Sequence, residues 1–256
     1  MKLYDELADW WPVFSDRDEY RREVVHFARV LRESVRPAPR TLLELGSGGG
    51  SSALHLKKRF AMTLVDISPR MLAVSRKVNP DVEHVEGDIR TVRLGRTFDA
   101  VYVHDAICHM TTETDLLAVM RTACEHCHPG GVALFVPDFV KETFEEGVDQ
   151  GGSDSEHGSV RFLQWIVDPD PADSTYDVDF AILLRDREGR ARVEHDHHVL
   201  GLFPRARWMQ LLREAGLRPS VVRDSDVREA FLGRRSLSET PPPGLRRSRS
   251  RRARST

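Results

Sequence analysis

Thr41-Leu42-Leu43-Glu44-Leu45-Gly46-Ser47-Gly48-Gly49-Gly50-Ser51 joins a short apolar run to a cluster of glycines. Leu42, Leu43 and Leu45 supply the apolar character of a buried parallel strand, with Glu44 as the acid inside it. Gly46, Gly48, Gly49 and Gly50 tolerate the backbone angles of a sharp turn and, without a Cβ, let a ligand approach the main chain. Ser51 to Lys58 reads as a helix whose first N–H groups face the same space. The stretch therefore predicts a strand, a ligand-binding turn and a helix.

Working outward, Val24, Val25, Phe27, Ala28, Val30 and Leu31 fall at helical spacing between about Asp18 and Arg36, and Pro37 and Pro39 end that amphipathic helix. Met62 to Val65 is a second apolar run ending at Asp66, and Ser68-Pro69 opens a helix with Met71, Leu72 and Val74 facing inward. Val82 to Val85 is a third strand before Gly87-Asp88-Ile89. Phe98 to His104 is a fourth, followed by a helix from about Thr112 to His126. Pro129-Gly130-Gly131 is a turn before a fifth strand, Val132 to Val136. Strands and helices alternating in this way indicate a parallel sheet covered on both faces.

After Phe139 the rhythm changes. Val160 to Ile166, Thr175 to Leu184 and Ala191 to Leu202 have the alternation of antiparallel strands, with Asp186-Arg187-Glu188-Gly189 as a hairpin turn. Pro204 to Leu212 reads as a helix and Pro219 to Val222 as one more strand. The expected fold class is α/β: a Rossmann-like, doubly wound, mostly parallel seven-stranded sheet with helices on both faces and a late antiparallel lid insertion. The expected segments are an N-terminal helical cap (1–40), a cofactor-binding core (41–138), an antiparallel lid or acceptor insertion (139–200), a helix and strand completing the sheet (201–233), and a disordered basic tail (234–256).

With 256 residues, 40% hydrophobic and 30% charged, the composition is that of a globular domain with an insertion rather than two domains. No apolar run approaches the roughly 20 residues that a membrane helix needs. The first residues lack the apolar core and cleavage site of a signal peptide, and three cysteines are an odd count that argues against a disulfide framework. A cytoplasmic location without membrane attachment is the expectation. The net charge of −2 hides an asymmetry: the residues from Arg234 onward hold eight Arg against one Glu, a net +7, which leaves −9 on residues 1–233.

Spacing narrows the ligand. A dinucleotide fingerprint G-x-G-x-x-G starting at Gly46 would put its third glycine at position 51, which is Ser51. The chain instead has Glu44-x-Gly46-x-Gly48-x-Gly50. Asp66, at the end of the second strand, is placed to accept hydrogen bonds from ribose hydroxyls, and Gly87-Asp88-Ile89 offers a carboxylate and an apolar side chain to a purine. All three strand ends converge on the carboxyl edge of the sheet.

These residues, together with Ser68-Pro69-Arg70-Met71-Leu72, the Phe98-Asp99-Ala100-Val101 strand and Pro129-Gly130-Gly131, resemble the class I S-adenosylmethionine-dependent methyltransferases over about residues 20 to 136. The resemblance implies S-adenosyl-L-methionine as cofactor, with Glu44 and Gly46 near its methionine moiety, Asp66 at the ribose, Met71 and Ile89 against adenine, and Asp88 at the adenine amino group. Ser47, Gly48, Ile67, Gly87 and His104 complete the implied cofactor-binding set. The [DN]-P-P-[YF] motif of nucleic-acid adenine and glutamine enzymes is replaced by His104-Asp105-Ala106-Ile107. Cys108 follows Ile107, not the proline required of a cytosine-C5 nucleophile. The late antiparallel insertion, Tyr20 and His109-Met110 are similar to small-molecule enzymes, especially amino-sugar N,N-dimethyltransferases. The implied reaction is methyl transfer to nitrogen or oxygen of a small-molecule acceptor.

The methyl carbon of a sulfonium is already activated, so the protein mainly has to align a nucleophile and leave it unprotonated. His109 is the candidate base, because a histidine titrates near working pH. Tyr4 and Tyr20 would line the methyl-transfer site by the same resemblance. Two motifs tempt a different reading. Cys124-Glu125-His126-Cys127-His128 matches a c-type haem attachment pattern, which would require export. Glu194-His195-Asp196-His197-His198 looks like a metal cluster, but strand alternation sends His195 and His197 one way and Asp196 and His198 the other, so no metal is assigned. Two alternative functions stay open at this point: a nicotinamide-dependent oxidoreductase on a similar sheet, and a nucleic-acid-binding protein acting through Arg246, Arg247, Arg249, Arg251, Arg252 and Arg254. Ser51 and Glu44 argue against the first and the acidic body against the second.

Overall fold

A computed structural model describes residues 1–15, 17–156, 158–223 and 228–237, with residues 17–20 described by their backbone only. Five parallel strands form its centre: β1 (Thr41–Leu45), β2 (Ala61–Asp66), β3 (Glu83–Glu86), β4 (Phe98–His104) and β5 (Cys127–Val136). The helices are α1 (Trp11–Phe14), α2 (Arg17–Ser34), α3 (Ser51–Leu56), α4 (Pro69–Val78), α5 (Glu113–His126) and α6 (Arg205–Glu214). Short 3-10 turns span Ala8–Trp10 and Ala106–His109. Ser68 caps α4, its Oγ accepting from the Met71 N–H at 3.2 Å, and Thr112 caps α5 in the same way.

Later strands are β6 (Gly147–Gly151), β7 (Asp154–Ser155), β8 (Gly158–Val167), β9 (Thr175–Arg185), β10 (Ala191–Gly201), β11 (Leu217–Arg223) and β12 (Glu229–Arg235). The large sheet has seven strands in the order β11-β12-β5-β4-β1-β2-β3, with β12 antiparallel to β5 and β11 antiparallel to β12. Chain order reverses between β1 and β4, the switch point at which open α/β sheets leave a crevice for ligands. The second sheet is antiparallel, in the order β10-β9-β8-β6, with β7 added to β8.

Period-two alternation explains both layers of the core. On one face Leu42, Leu64, Ala100, Tyr102 and Leu134 pack with Val24, Phe27 and Leu31 of α2 and with Ala53 and Leu56 of α3. On the other, Leu43, Leu45, Val101, Val103 and Phe135 pack with Leu116 and Met120 of α5, with Leu211 and Leu212 of α6, and with Val178, Phe180 and Ile182 of β9. The second sheet thus leans on the same core as α5 and α6.

Three details differ from the sequence expectations. Pro129-Gly130-Gly131 lies within β5, where the register with β4 slips between Phe98 and Ala100; the expected turn is absorbed as a strand irregularity. Strands β6, β7 and β12 were not foreseen, and β12 takes in Arg234 and Arg235, which the tail was expected to contain. Ala230 and Phe231 are buried between β5 and β11, and the Arg235 guanidinium donates to the carbonyls of Cys124 and Glu125 at 3.0 and 3.2 Å, capping the end of α5. The Arg-rich residues 246–254 lie outside the described residues. Among the described residues, no helix is long and apolar enough to cross a membrane.

Candidate functional site

The glycine turn is anchored from β2. The N–H groups of Gly46 and Ser47 both donate to the Val65 carbonyl, at 2.8 and 3.0 Å. Next, Asp66 Oδ2 accepts from the Gly48 N–H at 2.7 Å and Oδ1 from the Ser68 N–H at 2.8 Å. Asp66 therefore ties the turn after β1 to the turn after β2, and burial raises its pKa. The glycines serve a purpose beyond ligand access. Gly46 sits at φ 77°, and a Cβ there would lie 2.1 Å from the Ala106 Cβ; one on Gly49 would lie 2.1 Å from the Trp11 ring. Both positions are filled by the chain's own side chains.

A cavity of about 1010 Å³ opens between the carboxyl ends of β1, β2 and β4 and the inner face of the second sheet. Glu44, Gly46, Ser47, Gly48, Asp66, Ile67, Met71, Asp88, Ile89 and His104 all line it, as do Tyr4 and His109. Its roof is made by alternate residues of three strands: Phe162, Gln164 and Ile166 of β8, Tyr176, Val178 and Phe180 of β9, and His198 and Leu200 of β10. Gly87 is not on the wall; it donates to the Asp66 carbonyl at 3.0 Å and packs against Val92. Tyr20 lies on α2, and its side chain is outside what the structure describes.

At the β1 end, Glu44 is 2% exposed, its Oε2 has no hydrogen-bond partner, and burial pushes its pKa up to about 8. Ser47 Oγ is also buried without a partner. An unsatisfied carboxylate oxygen and hydroxyl on a cavity wall fit an amino-acid head group, which brings an ammonium and a carboxylate. Met71 and Ile89 put apolar side chains on the same wall. Asp88 is held by Arg90, whose Nη2 lies 2.6 Å from Oδ2 and whose Nη1 reaches Asp115 at 3.0 Å.

At the β4 end the wall is charged. Burial opposes a positive His104, but Asp105 and Glu23, 3.1 Å from its two ring nitrogens, raise its pKa to about 9. Arg228 lies among three carboxylates, bonded to Glu23, Asp105 and Asp138. Asp105 has φ 40°, a strained angle for a residue with a Cβ, held by those contacts. Burial, then the neighbouring Asp105, raises the pKa of Asp138. Burial, reinforced by His198, lowers the pKa of His109 to about 4, so the ring is neutral at neutral pH and, contrary to the sequence expectation, does not titrate near working pH. Its ring meets Tyr4 edge-on at 5.4 Å and lies 5.9 Å from His198.

A methyltransferase-domain family model matches residues 42–131. The fold superposes on the crystal structure of DesVI from Streptomyces venezuelae with a TM-score of 0.78 at 27% identity, covering 85% of this chain and 92% of that one. The fold is that of the class I S-adenosylmethionine-dependent methyltransferases. The chain is 34% identical over 131 residues to a dTDP-3-amino-3,4,6-trideoxy-alpha-D-glucopyranose N,N-dimethyltransferase of Streptomyces venezuelae, a match covering 50% of this chain and about half (55%) of that enzyme's length. It is 28% identical over 201 residues, 78% of each chain, to a dTDP-3-amino-3,6-dideoxy-alpha-D-glucopyranose N,N-dimethyltransferase of Streptomyces fradiae. A SAM-bound amino pentose methyltransferase from Micromonospora echinaspora superposes with a TM-score of 0.74 at 26% identity, covering 85% and 92% of the two chains. S-adenosyl-L-methionine is accordingly the cofactor, and the nicotinamide alternative falls.

Sequence reasoning missed Glu23, Arg90, Asp105, Asp138 and Arg228. The Pro137-Asp138 end of β5 was the one available signal, since carboxyl ends of parallel strands carry the site. The two tempting motifs have structural uses. His126 Nδ1 lies 2.8 Å from the Thr122 carbonyl and His128 Nε2 lies 3.1 Å from Asp99. His195 and His197 face outward against Asp179, at 3.3 and 3.0 Å, while His198 bonds Asp196 inside.

Proposed function

We propose that this methyltransferase transfers a methyl group to a nitrogen or oxygen of a small-molecule acceptor bound beneath the second sheet, with an amine as the best-matched acceptor. The continuity of one cavity from Glu44 and Asp66 to His109 carries this reading. When bound, the cofactor supplies a methyl carbon made electrophilic by its sulfonium. Glu44 would take the ammonium of its head group, Asp66 would use its remaining acceptor capacity on ribose hydroxyls, and Met71 with Ile89 would enclose the adenine. His109, held neutral with its pKa lowered to about 4, is too weak a base to keep the proton; it accepts a hydrogen bond from the acceptor's N–H or O–H and aims the lone pair. Tyr4 fixes the His109 ring through their edge-on contact. The roof strands exclude water from the transfer. Amino-sugar N-methylation, the activity in the names of its relatives, supports nitrogen.

An acceptor screen that detects S-adenosylhomocysteine, run on wild type and His109→Gln, tests the reading. The substitution should lower kcat by up to about 10²-fold, the cost of a misaligned nucleophile, while S-adenosylhomocysteine affinity stays unchanged. An unaltered kcat across pH would remove His109 from the chemistry, and no affinity for S-adenosylhomocysteine would sink the whole reading.

A further inference from the structure

We infer that a groove on the outer side of α2 binds a compact phosphate-bearing anion through Arg29, Arg32, Arg36 and Arg59, at a site separate from the methyl-transfer cavity. The groove has a volume of about 660 Å³. Five arginines line it: Arg22, Arg29 and Arg32 of α2, Arg36 just beyond that helix, and Arg59 between α3 and β2. Glu33 is the one acid on its wall among the described residues. Five arginines against one glutamate, with His26 taken as neutral, leave a formal +4, although residues 1–233 together carry −9. No residue lines both this groove and the cavity at the carboxyl edge of the sheet, so the inference does not depend on the acceptor proposed above.

Charges gathered in this way repel one another. Arg29 and Arg32 stand one turn apart on α2, a like-charge pair that costs a helix about 0.2–0.5 kcal/mol. Elsewhere the chain answers its arginines with carboxylates: Arg90 meets Asp88 and Asp115, Arg96 meets Glu83, and Arg207 meets Glu113 and Glu214. Among the described residues none of the five groove arginines is in an ion pair, even with Glu33 beside them. The negative end of the α2 dipole accounts for Arg32 and Arg36, but Arg22 and Arg29 lie in earlier turns and Arg59 on another element. His26 supplies a second observation. Arg29 Nη2 lies 3.4 Å from its Nδ1, and a guanidinium can only donate, so Nδ1 accepts and the ring proton sits on Nε2. That Nε2 is buried with no hydrogen-bond partner among the described residues. A wall of guanidinium donors with an unmet imidazole N–H is short of acceptors. Phosphate groups bring several acceptor oxygens each and match the guanidinium fork two bonds at a time. A bounded groove in an acidic body takes a compact anion, whereas a nucleic acid needs a long basic track.

The test is calorimetry on the full-length protein with inorganic tripolyphosphate and ATP as probes. Wild type should bind tripolyphosphate with a Kd below about 100 μM at 50 mM salt, weakening about tenfold by 300 mM as the charges are screened. Arg29→Gln, Arg36→Gln and Arg59→Gln combined should weaken binding about 30-fold or more. S-adenosylhomocysteine affinity should stay unchanged, since no groove residue lines the cofactor cavity. The triple variant should be at least as stable as wild type in denaturant, because mutually repelling charges are gone; arginines kept for packing would leave it less stable. ATP binding as tightly as tripolyphosphate means that the phosphate chain alone is read, and tighter binding means that base and ribose add contacts. No tripolyphosphate binding by wild type overturns the inference. So does binding that survives the triple substitution, which would belong to the Arg-rich tail or the cofactor cavity. A single-stranded oligonucleotide held more than about tenfold more tightly through the same three arginines would replace the compact anion with nucleic acid. Arg59→Gln alone, at an exposed position, should still weaken tripolyphosphate about threefold, and keeps the test decisive if the triple variant misfolds.

Discussion

Glu44→Gln probes the cofactor end of the cavity with a magnitude that can be worked out. In the protein alone the Glu44 carboxyl titrates at about 8, so at pH 7 about nine molecules in ten hold it protonated. Seating an ammonium against Oε2 requires the anion. Binding should therefore release about 0.9 proton at pH 7 and progressively less as pH rises through 8. Ionising the group costs about 1.4 kcal/mol at pH 7, and a buried charge-assisted hydrogen bond returns about 3 kcal/mol. Glu44→Gln removes both effects. Its net penalty is then about 1.6 kcal/mol at pH 7, a roughly 15-fold rise in Kd for S-adenosylhomocysteine, growing toward about 2.8 kcal/mol and roughly 100-fold at pH 8.5, as long as the ligand's amino group stays protonated. Calorimetry in two buffers of different ionisation enthalpy reads the affinity and the proton count together. Equal Kd values for both proteins at both pH values, or no proton release by wild type at pH 7, would refute the assignment of Glu44 to the ammonium.

Gly46→Ala forces a Cβ into the left-handed region and against Ala106, so it should cost on the order of 3 kcal/mol in denaturant unfolding and weaken cofactor binding; a loss below about 0.5 kcal/mol would mean the turn yields easily. For His104, the folded pKa of about 9 lies above the ordinary value of 6.5. Its stabilisation is therefore full below pH 6.5 and is lost as pH rises through 9, a span of about 3 kcal/mol. Wild type should lose that much more stability than His104→Gln between pH 6 and 9.5; a pH-independent difference between them would show that His104 is uncharged.

Local chemistry made part of this protein readable from its sequence. The apolar run ending in glycines, the period-two strands with helices between them, and acids at strand ends are all set by residues close in the chain, because backbone sterics and alternation act over a few positions. Glu44, Asp66, Met71, Asp88 and His109 could be picked out as candidates in this way, and the fold places them around one cavity. The acceptor end is a different matter. Arg228 meets Asp105 across 123 positions and Glu23 across 205, and no local pattern records such a pairing. The same holds for the roof: alternation shows that Asp196 and His198 share one face of β10, but only the packing of Leu3 and Tyr4 against that face makes it the inner one. Even the glycine turn was half read. Its backbone angles follow from its own residues, whereas Gly46 and Gly49 also make room for Ala106 and Trp11, neighbours that only the folded chain brings within reach.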